Sequence, residues 1–152
     1  MGTWGAGNFD DDVARDYLVD VIARFEQFIE RILAGDIPEE AMGMDNVLDA
    51  GEHCLLPTVE IMSALHESLG SDYLPRPETV ERWAESYPGQ VEPLLKKLDP
   101  AGYERWYVPE RRPVVVATFE RLLRHSRDLY QERHAEAEQG ATADGGHDPG
   151  SS

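Results

Sequence analysis

Asp10, Asp12 and Asp16 form D-x-D-x-x-x-D, a spacing of hard oxygen ligands that suits Mg²⁺ or Ca²⁺. The glycine and terminal glutamate of an EF-hand loop are missing at their offsets, and capping of a following helix explains Asp10 to Asp12 without a metal. Glu52, His53 and Cys54, with Asp49, Glu60 and His66 nearby, make a second group of ligand-type side chains. Asp49 and His53 are four apart and fall on one face of a helix. Zinc sites pair Cys or His at tight spacing, as in HExxH or CxxC, and neither pattern occurs. Cys54 lies on an apolar face, where a free cysteine behaves as a small hydrophobe. Nucleophilic catalysis has less support: there is no G-x-S-x-G, and helix neighbours such as His53 and Cys54 point apart. Gly5 and Gly7 give G-x-G, but no strand precedes them, so this is not a dinucleotide fingerprint. His125 and His134 have no carboxylate at a ligand-like spacing. These patterns predict no metal and no cofactor.

Residues 1–9 carry more information, combining Gly2, Gly5 and Gly7 with Trp4 and Phe9. Leaving such aromatics in water forfeits about 1.5–3 kcal/mol each, and glycine opens backbone conformations closed to other residues. The segment is expected to wrap back onto the body, with Trp4 or Phe9 inserted beside the first helix. It would then be either a plug that completes the core or the wall of a pocket or partner site. The candidate binding residues are accordingly Trp4, Phe9, Asp10, Asp12, Asp16 and Asp20.

The elements that would position these residues are helical. Ala14, Leu18, Val21, Phe25, Phe28 and Ile32 recur in steps of four and three, predicting a helix over 13–33 that Gly35 and Pro38 end. A second stretch begins near Asp45 as cap and reaches Gly70; Pro57 makes it either one kinked helix or two. Leu74-Pro75-Arg76-Pro77 is a rigid connector. Shorter helices are predicted over 78–87 and 90–98, with a further turn at 100–108 and a loop bracketed by Pro109 and Pro113. The last helix is predicted over 114–138, with Phe119, Leu122, Ser126 and Tyr130 inside. Residues 139–152 are too polar to pack and are expected to be a disordered acidic tail. No alternating strand is apparent. The fold expected is all-α: one domain over 1–138, an irregular bundle of about five or six helices with the Gly/aromatic segment packed on it.

The opening Met1-Gly2-Thr3-Trp4-Gly5-Ala6-Gly7-Asn8-Phe9-Asp10, followed by Asp12, Ala14 and Asp16, resembles an uncharacterised family of small bacterial proteins. Its members begin M-G-x-W-G-x-G-x-F-x-x-D-x-A-x-D and are classed only as a domain of unknown function, abundant in actinobacteria. Leu48-Asp49-Ala50-Gly51 and the helix from Thr58 to Leu69 are similar to its second helical block, Leu74-Pro75 to its L-P corner, and Trp106 to a tryptophan near its last helix. Val47 stands where a tyrosine is usual, and Pro57 interrupts the second block. The resemblance implies no activity, substrate or catalytic residue.

Charge narrows the partners. The 152 residues include 30 Asp and Glu against 14 Lys and Arg, a net of −16. That sign disfavours direct binding of nucleic acid, whose phosphates are met by Lys and Arg. Residues 1–104 hold 22 acidic and seven basic side chains, whereas residues 105–135 hold seven arginines and four acids. Asp12, Asp16 and Asp20 form an i, i+4 series away from the Leu18–Phe25 stripe, either a solvated face or a surface that steers a basic partner. Arg121, Arg124 and Arg127 could dock on acids of the same fold. One cysteine, no signal-like segment and no apolar run of about 18 residues point to the cytoplasm rather than a membrane. The function expected is a non-enzymatic protein-binding module, of the inhibitor or immunity type, for a basic protein. The competing expectations are a small hydrolase or transferase using Asp10, Asp12, Asp16 or Glu52–His53–Glu60 beside Trp4, and a structural subunit. Oligomeric state is not readable from the sequence.

Overall fold

A computed structural model describes residues 7–144, whose regular elements are all helical with no strand among them. The chain runs α1 (Asp12–Leu33), α2 (Val47–Ala50), a π-helical segment (Gly51–Leu55), α3 (Leu56–Leu69), α4 (Pro77–Leu98), α5 (Pro100–Gly102), a second π-helical segment (Tyr103–Arg111) and α6 (Arg112–Asp144). Abutting pieces join end to end, so these elements make four rods, fewer than the five or six helices expected. No helix among the described residues is long and apolar enough to cross a membrane.

Local chemistry sets the ends of α1. The Asp11 carboxylate accepts the Ala14 N–H at 2.8 Å, an N-cap that satisfies one orphan donor of the first turn. At the other end Gly35 takes a left-handed φ of +80°. Its N–H bonds the Ile32 carbonyl and that of Asp36 bonds Arg31, a Schellman arrangement that closes the last turn. Leu18, Ile22, Ile29 and Ile32 form the buried stripe, with Phe25 and Phe28 half-buried beside it. In the next rod Asn46, not Asp45, is the cap, accepting from Asp49 N–H at 2.9 Å.

The prolines behave differently from expectation. Pro57 does not split its rod; the preceding turn widens, and Leu56 N–H reaches back five residues to Gly51. Widening gives the proline ring room in the turn its missing N–H would have closed. The region around Pro109, expected to be a loop, is helical for the same reason, with Arg112 N–H bonded to Tyr107. Pro88 does not break α4, which joins the two short helices predicted at 78–87 and 90–98. Each interior proline costs about 3 kcal/mol, but Val80, Trp83, Tyr87 and Val91 are fully buried along one continuous face. Such burial contributes about 1.5–3 kcal/mol per large side chain, enough to carry the helix through. α6 runs beyond Glu138 to Asp144.

α6 lies against both α3 and α4 and contributes Val115, Phe119 and Leu122 to the core. Two hydroxyls of α6 latch the corner between α3 and α4: Ser126 donates to the Pro75 carbonyl at 2.5 Å and Tyr130 to the Leu74 carbonyl at 2.9 Å. Tyr87 of α4 lies across Gly51, where a Cβ would stand 2.3 Å from the ring. Gly51→Ala is therefore expected to lower stability by about 1–3 kcal/mol through overpacking. Gly89→Ala, whose Cβ would meet open space, should raise it by about 0.5–1 kcal/mol. Thermal denaturation followed by circular dichroism checks both.

Candidate functional site

The acidic series expected to bind a partner lies on the face of α1 opposite the buried stripe. Asp12, Asp16 and Asp20 are exposed there, and Asp20 is paired with Arg24 one turn on. Asp16 has no ion-pair or hydrogen-bond partner among the described residues. Asp10 is half-buried and accepts the Gly7 N–H at 2.6 Å, so it closes the turn ahead of the helix. Phe9 packs partly buried against the core, as expected for one of the two aromatics. Trp4, and with it the rest of the proposed plug, lies outside the described residues.

Val13 and Tyr17, which the sequence reading did not single out, stand among these acids and are 57% and 60% exposed. The signal was present: both fall on the polar side of α1's periodicity, where an apolar or aromatic side chain has no core to join. An exposed tyrosine amid carboxylates matches the composition of interface anchors, which combine aromatic area with a polar tip. Arg15 reaches across to Asp72 and the Gly70 carbonyl at 2.8–2.9 Å, and it also lies close enough to Asp10 and Asp12 to feel their charges.

Most arginines of the last rod are consumed internally. Arg111 binds Glu52 at 2.9 Å, Arg112 pairs with Glu92, Arg121 with Glu67 and Arg127 with Glu81. Glu52 also accepts from the Tyr87 hydroxyl at 2.6 Å, linking the first π-helical segment, α4 and the second. Tyr103 donates to Glu92 at 2.8 Å and stacks on Tyr107, whose ring is buried and whose hydroxyl has no partner among the described residues. Burial, then Glu92 and Glu52, push that hydroxyl up to about 12, so it stays protonated. Desolvation and the Glu52 hydrogen bond raise Tyr87 as well.

These contacts dismantle the second sequence constellation. Glu52 turns toward Tyr87 and Arg111, Glu60 is exposed on the α6 side 3.9 Å from Arg121, and His53 points to an open groove against α1. The three do not converge, and among the described residues no three His, Cys, Asp or Glu side chains assemble as a metal set. His125 finds in space the carboxylate it lacks nearby in the sequence, whereas His134 has one four residues on, contrary to expectation. His125 Nε2 lies 2.7 Å from Glu67, and its ring sits 5.2 Å from that of His66. His134 lies 3.2 Å from Glu138.

Burial, and then His125, lower His66 below its ordinary 6.5. A histidine depressed in the folded state leaves the unfolded chain binding more protons. Its contribution to stability is therefore complete above pH 6.5 and declines as pH drops through the folded value. Melting temperature is expected to fall between about pH 7 and pH 5, and His66→Gln should flatten that slope. Glu52→Ala, which strands Arg111 and the buried Tyr87 hydroxyl, is expected to cost about 1–3 kcal/mol, measured by urea denaturation. Comparison with known proteins finds no matching family model, no similar curated protein and no similar solved structure.

Proposed function

We propose that this chain is a non-enzymatic cytoplasmic protein-binding module, of the inhibitor or immunity type, that holds a basic partner on the outer face of α1. The observation that carries this reading is Tyr17, exposed with Val13 among Asp12, Asp16 and Asp20. Acidic side chains there attract a cationic surface over a Debye length of about 8–10 Å and speed encounter. Tyr17 and Val13 supply the apolar contact that turns encounter into a docked complex. The internal pairing of Arg111, Arg112, Arg121 and Arg127 supports the same reading, since those guanidinium groups are engaged by glutamates of other rods.

A photo-crosslinking residue placed at Tyr17, with a control at exposed Glu120 on α6, tests this in cells of the source organism. A basic protein captured at position 17 and not at 120, released by raised salt before crosslinking and lost in Asp16→Lys, is the expected result. Equal capture at both positions, or capture indifferent to salt and to Asp16→Lys, would count against the reading.

A further inference from the structure

Further along the same helix, α1 faces the Gly51–Leu69 stretch across an open groove of about 650 Å³. Phe25 and Phe28 supply one wall, and Cys54, Pro57 and Ile61 the other. The walls follow from helical spacing: His53, Pro57 and Ile61 recur every four residues, opposite Arg24, Phe28 and Arg31 on α1. The widened turn ahead of Pro57 presents His53 and Cys54 on this side while Glu52 goes to Tyr87.

In a chain of net charge −16 the groove's rim carries Arg24, Arg31 and His53, with Glu40 beside them and Asp20 and Asp36 paired to the two arginines. The groove between α4 and α6 is lined differently, by Glu78, Glu81, Glu85 and Glu120 with Arg82. Arg24 is held by Asp20 and Arg31 by Asp36, with Glu40 also acting on Arg31, and all of these groups are exposed at the surface. Pairs of this kind contribute only about 0–1 kcal/mol, so a ligand's anionic group can displace them at little cost. A volume in the range of small-molecule sites, apolar walls and cations at the edge together define one ligand chemistry.

We propose that this groove binds a small amphipathic carboxylate, its alkyl or aryl body between Phe25, Phe28, Pro57 and Ile61 and its acid group on the rim that Arg24 and Arg31 supply. Cys54, the only cysteine in the chain and half-buried in the groove wall, reports occupancy directly. The inference does not depend on the partner-binding face, because its test uses no protein partner.

Three ten-carbon probes of one length separate the contributions: decanoate, decanol and decylammonium, each below its aggregation concentration. Binding is followed by calorimetry, and occupancy by the rate at which Ellman's reagent modifies Cys54. Decanoate is expected to bind saturably and slow Cys54 modification several-fold, decanol to do so weakly, and decylammonium not at all. In Arg24→Glu/Arg31→Glu, whose fold is verified by circular dichroism, decanoate affinity should fall roughly tenfold or more through loss of charge-assisted hydrogen bonds. An aryl sulfonate, anilinonaphthalene sulfonate, serves as a second anionic probe. No saturable binding of either anion, equal binding of all three ten-carbon probes, or decanoate binding that leaves Cys54 unprotected would each overturn the proposal.

Discussion

Proline's missing N–H is the constraint from which the arrangement of side chains follows. Pro57, Pro109 and Pro113 each withdraw a donor from a rod whose apolar faces must nevertheless stay continuous. The chain meets this by opening turns of five-residue reach, Gly51–Leu55 before the first proline and Tyr103–Arg111 around the second. A widened turn accommodates one extra residue and so rotates everything after it relative to everything before. Glu52 is thereby aimed at Tyr87 and Arg111 while Cys54 looks the other way, into the groove. In the second segment Tyr107 enters the interior, and Trp106, its neighbour, is left 52% exposed. Tyr87 can lie across the first widened turn because residue 51 has no Cβ.

Charge is distributed by the same packing. The excess of arginine in the last third is not a cationic surface, since four of those guanidinium groups sit on glutamates of other rods. Glu67 illustrates the result: Arg121 and then His125 hold its carboxyl down to about 2. Such pairs add little stability when exposed, yet they fix which acids remain available. What is left is a helix whose outer face is acidic around Tyr17 and whose later turns carry Arg24 and Arg31 beside an apolar groove.

Helical class, the α1 stripe and the glycine stop at residue 35 were legible because each is a local signal: period 3.6 or a left-handed φ. Capping was legible in kind, with Asp11 doing what the Asp10–Asp12 run suggests, while at the second helix the role passes from Asp45 to Asn46. The course of α4 through Pro88 was not legible, because the decision is made by Trp83, Tyr87 and Val91 against partners far along the chain. The same holds for His125 and Glu67, for Glu52 and Arg111, and for the groove, whose two walls are separated by a whole connector. Tyr17 was within reach of sequence reasoning, since helical phase alone puts it outside.

The hydroxyl latch from Ser126 and Tyr130 to the Leu74–Pro75 corner has a consequence for how the protein is made. Until those two residues have been made, the corner carbonyls lack their donors, and α3 and α4 have only α1 to close over. The surfaces of α3 and α4 that Val115, Phe119 and Leu122 cover stay open until then, and exposed apolar surface of that kind is prone to sticking. Completion of the body is thus tied to synthesis of α6.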